Sequence, residues 1–488
     1  MLSLFHILFL ISSVSAFNYL VVSPGFGHSH STFMGKVADA LSDSGHNVTV
    51  LTILINSKFR DKSFTKSTKD IVYVDSNEEL DRLTDLMESG DFSRFWTKEG
   101  SMLETIPSYQ GFMKMFEMVY ANLRQNLHIL DELKTQRPKY DVIIFESFIF
   151  MAKAVQEYLE IPVFIPVTSV THDNKFAELS GEPVNPSYLS GNRNSRDFEI
   201  ISFSGYFTNF GNIMSFQERL TNTISYFLGK IILQYPKWTT LQDPTKPLEI
   251  ETAYHRAPYI FINSNPYIDF PRPLLSKTIQ VGGLTVNVNK LRAEKVDENW
   301  NKILDQRPHT VLVSFGSMFK AIYMPHSYKL SAFLTHGGLG SVNELSYLGK
   351  PAILCPLFAD QLRNAKMLAR HSGSIEITKF DLADYETLRS AIHRVLFDKS
   401  IAKNALSLAK RLENQPMKPK ELLVRHAEFA AQFGEHHGLD CNIRNMSFIE
   451  YYLLDVTAFI SAIAVFVVVL VFCFVRKVMG ALGKLKND

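Results

Sequence analysis

Tyr19-Leu-Val-Val-Ser-Pro-Gly-Phe-Gly-His-Ser-His30 decides the reading of this chain. An apolar run of strand length ends in a glycine turn, and a helical pattern follows with Phe33, Met34, Val37 and Leu41 on one face. Gly45 closes that helix, and residues 48–55 form the next strand. Strand, helix, strand is the opening of a doubly wound parallel sheet, so the fold class is α/β. Working outward, buried strands are predicted at 142–145 and 162–165, and the stretch from Asp91 to Leu127, rich in aromatics and methionine, reads as core helix.

The second half repeats this logic. Strands are predicted at 310–315, 332–335 and 351–355, with a helix over 341–348 and another after Asp360. Turn signals crowd around Pro271-Arg-Pro273 and Gly282-Gly283, which places the interdomain linker there. A chain of 488 residues is too long for one core. The expected organisation is an amino-terminal domain over 17–282 and a carboxyl-terminal domain over 283–450, two facing doubly wound Rossmann-like domains.

Charge and ends set the compartment. Lys+Arg 51 against Asp+Glu 49 leaves a net charge of +2 with no long basic block, which argues against a nucleic-acid partner. Cys355, Cys441 and Cys473 offer neither a disulfide framework nor metal-ligand spacing. Residues 1–16 read as a signal peptide, with Val14 and Ala16 as the small residues of a cleavage site. Residues 456–475 carry no charge and have the length of a transmembrane helix. Arg476, Lys477, Lys484 and Lys486 lie beyond it, so the 476–488 tail is expected to be cytoplasmic and the rest lumenal. Lys484 and Lys486 also match a dilysine retrieval signal. Sequons stand at Asn47-Val-Thr49 and Asn445-Met-Ser447.

The loop Gly25-Phe-Gly27-His-Ser-His30 lacks the third glycine of a dinucleotide fingerprint, which disfavours a nicotinamide cofactor and a dehydrogenase. It leaves His30 at the carboxyl end of the first strand, where ligands of open α/β sheets gather. Glu146 interrupts an apolar run at another strand end, and a buried carboxylate requires a partner. If strand order brings the two together, the glutamate hydrogen-bonds the imidazole and supports it as a general base. In the second half, Thr335-His-Gly-Gly338 lies between a strand and a helix, so amides and a helix amino terminus can face a diphosphate. Ser341-Val-Asn-Glu344 also fits a capping box, and Asp360-Gln361 an ordinary helix start.

Taken together, Thr335-His-Gly-Gly-Leu-Gly-Ser-Val-Asn-Glu344 and Pro356-Leu-Phe-Ala-Asp-Gln361 resemble the signature of the UDP-glucuronosyltransferase family. Ser29-His30, Gly45-His46, Pro186-Ser-Tyr188, Ser314-Phe-Gly-Ser317 and the terminal anchor extend the resemblance over nearly the whole chain. It implies a GT-B fold and a metal-independent, inverting transfer of glucuronate or glucose from a UDP-sugar co-substrate to a small lipophilic acceptor. No further cofactor is implied. The setting is detoxification at the endoplasmic reticulum membrane, with homo- or hetero-oligomers of sister transferases as further partners. By resemblance, His30 is the general base and Glu146 stands where the family more often has aspartate. Ser317, His336, Gly337, Gly338, Gly340, Ser341, Glu344, Asp360 and Gln361 form the UDP-sugar site, with His336 and the glycine amides at the diphosphate, Glu344 at the ribose, and Asp360 with Gln361 at the sugar.

One departure matters. Only sixteen residues separate Ser314 from Ser331, whereas a complete βαβ unit takes about thirty. Family members carry a longer insert here with a Trp-x-Pro-Gln segment that holds the uracil, and this chain lacks it. The alternative expectation is therefore a catalytically impaired paralogue or shortened isoform that acts as a binding partner.

Overall fold

The computed structural model describes residues 16–89, 102–172, 174–188, 213–232, 238–293, 298–315, 331–357 and 360–485. The signal-peptide reading, Ser317 and Lys486 lie outside them.

The first half is one parallel sheet of β1 (Asn18–Gly25), β2 (Asn47–Leu54), β3 (Asp70–Val74), β4 (Val142–Glu146), β5 (Val163–Thr168), β6 (Ile260–Ile262) and β7 (Thr278–Gln280). Its order is β3-β2-β1-β4-β5-β6-β7. β1, β4 and β5 are buried on both faces, which is why they read as continuous Val/Ile runs rather than alternating ones. The order reverses direction between β1 and β4, paired in register from Tyr19↔Val142 to Val22↔Phe145. Helix α1 (His28–Ser42) packs Phe33, Met34, Val37 and Leu41 on one face of the sheet. Helices α2 (Met102–Gln125) and α3 (Ala152–Leu159) cover the other face, with Met115, Phe116, Val119 and Val155 in one cluster with Leu20, Val22 and Phe145.

The second half is a smaller parallel sheet of β8 (Val311–Ser314), β9 (Ala332–Thr335), β10 (Ala352–Leu354) and β11 (Ser374–Glu376), in the order β11-β10-β9-β8. Helices α4 (Leu339–Leu348), α5 (Gln361–Ala369) and α6 (Lys399–Glu413) pack against it through Val342, Leu345, Leu368, Leu408 and Leu412. β8 pairs directly with β9 across the shortened stretch, Val311↔Ala332 to Ser314↔Thr335. By topology β8 takes the place of β1 and β9 that of β4. The two strands outside β1 have no counterpart among the described residues.

Helix α7 (Pro419–Phe433) follows the second sheet in sequence but packs on the first, with Leu423, Val424, Ala427 and Ala430 buried among Tyr19, Phe33 and Val37. His46 Nε2 meets Glu428 at 3.1 Å and Lys420 meets Asp43 at 2.8 Å along the same seam. The assignment of 283–450 to a second domain therefore omits this return.

Residues 440–488 form a separate unit. Its main element is α8 (Leu454–Leu485), apolar and exposed over Leu454–Gly480. Those 27 residues rise about 40 Å, enough for a hydrocarbon core of about 30 Å.

Candidate active site at the strand ends

The crevice at the β1/β4 reversal is where an open α/β sheet collects ligands. Gly27 enters it with φ 63°, a left-handed conformation that glycine adopts without strain, and it caps the start of α1. His30 falls on the first turn of α1 and is nearly buried, while Glu146 closes β4 and is fully buried. The imidazole packs edge-on against Phe148, with ring centroids 5.0 Å apart. It also lines a small apolar pocket with Pro24, Phe26, Ile55, Phe116, Phe148 and Ile149.

The two residues meet, though not as the sequence suggested. His30 Nδ1 stands 3.5 Å from Glu146 Oε2, within ion-pair range, while its hydrogen-bond partner is the Ser169 hydroxyl at 2.5 Å. Ser169 follows β5 directly. Its N–H donates to Glu146 Oε1 at 3.4 Å and its carbonyl accepts from the Asn263 amide at 2.7 Å, so the main chain holds the hydroxyl against the imidazole. A serine after a strand carries no sequence signature, and only the pairing of β4 with β5, Glu146 opposite Val167, places it here.

In the second half, His336 leaves the end of β9 and α4 begins at Leu339 with Gly338 as its amino-terminal cap. The helix starts two residues before Ser341, so Ser341 and Glu344 sit on its first and second turns and do not form the capping box. No side chain caps this end, so the first-turn amides, those of Gly340 and Ser341 included, form the kind of helix amino terminus that can receive an anion. A Cβ on Gly338 would lie 2.7 Å from His336 Nε2, so any side chain there would displace the imidazole that folds over the turn. Burial lowers the His336 pKa to about 4, so the ring is neutral at physiological pH. Its Nδ1 stands 3.3 Å from the Thr335 hydroxyl.

Asp360 caps α5, and its Oδ2 accepts from the Asn364 amide at 2.7 Å. Burial raises its carboxyl pKa, opposed by the Asn364 bond and by the electrostatic influence of the nearby His30 side chain. Gln361 is buried and its Oε1 accepts from the Leu357 N–H at 3.0 Å. A Cβ on Gly337 would lie 3.3 Å from the Gln361 carbonyl, so the 335–338 turn abuts the start of α5. His336, Gly337 and Gly338 are thus gathered with Asp360 and Gln361, and Asp360 lies within electrostatic reach of His30. Among the described residues no group of three His, Cys, Asp or Glu side chains is placed to hold a metal ion.

Two junctions between the halves escaped the sequence. Arg363 donates to Asp269 at 2.5 Å in a buried pair, and Asp269 also accepts from the Ser264 hydroxyl and the Phe270 N–H. Asn265 bonds the Gly282 carbonyl at 3.1 Å, Gln415 at 3.2 Å and the Tyr347 hydroxyl at 3.3 Å.

A sequence model of the family described as "UDP-glucoronosyl and UDP-glucosyl transferase" matches residues 19–327 and 323–487. UDP-glucuronosyltransferase 1A6 of Homo sapiens is 23% identical over 527 residues, covering 96% of this chain and 93% of its own. UDP-glucuronosyltransferase 3A2 of Homo sapiens is 26% identical, with 89% and 88% covered. Among solved structures, a UDP-glucosyltransferase from Polygonum tinctorium superimposes with a TM-score of 0.53 at 14% identity, covering 86% of this chain and all of its own. The calicheamicin glycosyltransferase CalG4 gives 0.51 at 12% identity, covering 86% and 99%. The architecture of the two facing sheets is GT-B.

Proposed function

Because the chain belongs to the UDP-glucuronosyl and UDP-glucosyl transferase family, we propose that it transfers a sugar from a UDP-sugar to a hydroxyl of a small lipophilic acceptor, with His30 as the general base. The observation that carries this reading is the meeting of His30 with a buried carboxylate at the β1/β4 crevice, beside an apolar pocket and within reach of Asp360. The acceptor rests against Phe148 and Phe116 with its hydroxyl at the imidazole. His30 takes the hydroxyl proton, the oxygen attacks the anomeric carbon, and UDP leaves with the bonding electron pair, inverting that centre. The positive charge that develops on the imidazole is stabilised by Glu146 at 3.5 Å.

On the donor side, neutral His336 and the first-turn amides of α4 receive the diphosphate. Glu344 faces the ribose, and Asp360 with Gln361 faces the transferred sugar. The protein is anchored by the 454–480 span with the catalytic part in the endoplasmic reticulum lumen, as the basic flank beyond the span supports.

Substitution of His30 tests the reading. His30→Ala should lose about 10²–10⁴-fold in kcat with little change in UDP-sugar KM, and full activity in that variant overturns the assignment. The direct β8–β9 pairing favours a second reading, a non-catalytic member that binds acceptor or a sister transferase. An acceptor-binding chain with no detectable transfer at saturating UDP-sugar is its mark.

A further inference from the structure

We infer that Ser169 is a positioning residue that fixes the tautomer of His30, holding the proton on Nδ1 so that Nε2 carries the free lone pair. This rests on His30 acting as the base.

The Ser169 hydroxyl is the hydrogen-bond partner of His30 Nδ1, and it can either donate to that nitrogen or accept from it. The surroundings decide which. Glu146 is fully buried, and its Oε2 lies 3.5 Å from Nδ1 with no hydrogen-bond partner of its own. Were the hydroxyl to donate, the Nδ1 lone pair would face an unneutralised carboxylate, two centres of negative charge in a buried site. With the proton on Nδ1, the N–H points at the serine oxygen and its positive end lies beside the carboxylate. Both contacts are then favourable, and Nε2 is left bare to receive the acceptor proton. When it does, Nδ1–H keeps its bond to Ser169 and the imidazolium charge lies beside Glu146.

The serine is built for this. It is buried, and its main chain is fixed at both ends, by its N–H on Glu146 and by its carbonyl on the Asn263 amide. Glu146 therefore supplies the charge that biases the proton, and Ser169 supplies the directional acceptor that a carboxylate at 3.5 Å does not. Enforcing the wrong histidine tautomer is among the more damaging lesions in base catalysis, worth up to about 10⁴-fold.

The test uses the full chain in detergent micelles with nitrogen-15 histidine, the His30 ring resonances being identified by their loss in His30→Gln. The native chain should show a protonated Nδ1 and a pyridine-like Nε2. Ser169→Thr, which keeps the hydroxyl, should preserve that pattern, and Ser169→Ala should lose it while the other histidine resonances stay in place. A protonated Nε2 in the native chain, or an unchanged pattern in Ser169→Ala, overturns the inference. In turnover assays Ser169→Ala should lose at least about 10²-fold in kcat with UDP-sugar KM unchanged, Ser169→Thr should restore it, and Ser169→Ala should add no further loss in a His30→Ala background. An equal loss in both backgrounds assigns Ser169 a merely structural role and also overturns the inference. If no form turns over, the proposed function falls, and the ring nitrogen shifts still decide the tautomer.

Discussion

Replacing Arg363 with methionine tests how the donor-side helix is held to the first half of the molecule. The guanidinium and Asp269 form a pair in which both side chains are nearly buried, with Arg363 Nη2 2.5 Å from Asp269 Oδ1. Removing one partner of such a pair costs about 3–5 kcal/mol, because the other charge stays buried. Asp269 keeps two donors here, the Ser264 hydroxyl and the Phe270 N–H, and hydrogen bonds to a charged group contribute about 1.5–3 kcal/mol each. The remaining bonds hold the cost to the lower end of the range, about 3 kcal/mol. In a domain of 150–250 residues, 1 kcal/mol moves Tm by about 2–4 °C, so the variant should melt about 6–12 °C lower. Tryptophan fluorescence of the detergent-solubilised chain reads this at a fixed scan rate, since large proteins seldom unfold reversibly. Adding Asp269→Asn should recover most of the loss, because the orphaned charge has gone. A drop under about 2 °C for Arg363→Met, or a double variant as unstable as the sum of the singles, refutes the reasoning.

Three further outcomes follow from other parts of the structure. The His336 pKa, about 4 in the fold against an ordinary 6.5, means that the unfolded chain binds a proton more readily across that window. Stability from this residue is therefore complete above pH 6.5 and declines by up to about 3 kcal/mol as pH falls toward 4, which a pH series of melting curves reads. His336→Gln should flatten the limb, and saturating UDP should shallow it, because a diphosphate stabilises the imidazolium. Calorimetry with UDP should give an affinity about one to two orders of magnitude below that of a chain carrying a family-length insert between 315 and 332, since stacking a base on an aromatic contributes about 1–3 kcal/mol; equal affinities show that the gap does not matter. Changing Lys484 and Lys486 to serine should release a tagged chain from the endoplasmic reticulum to the Golgi, and unchanged localisation in microscopy rules the pair out as the retrieval signal.

The first βαβ unit was legible because its physics is local. A run such as Leu20-Val-Val22 followed by Pro-Gly and an amphipathic helix has one economical fold, and β1, α1 and β2 lie where the periodicity places them. His30 and Glu146 stood out by chemistry, a base and a carboxylate at strand ends, and parallel pairing brings them together. Ser169 did not stand out, because hydroxyl residues are common after strands and its place depends on a contact 139 residues away in sequence. The helix start at Leu339 was displaced toward Ser341 in the sequence reading, since the capping-box pattern there is as good as any and only the fold of His336 over Gly338 shows that the turn has already closed. Arg363 and Asp269, 94 residues apart, carry no pattern that pairs them.

The return of α7 to the first sheet has a consequence in time. On the ribosome, Tyr19, Phe33 and Val37 emerge early, yet the Leu423, Val424, Ala427 and Ala430 surface that covers them is translated only near the end. At about 5–20 residues per second the wait is roughly 20–80 s. Once β7 is made at Gln280, the finished sheet carries an uncovered apolar face for the last roughly 7–30 s of that interval, a substrate for chaperones. A transcript that stops short of residue 419 would never supply the cover, so its product should be retained and degraded even with the His30 crevice fully encoded.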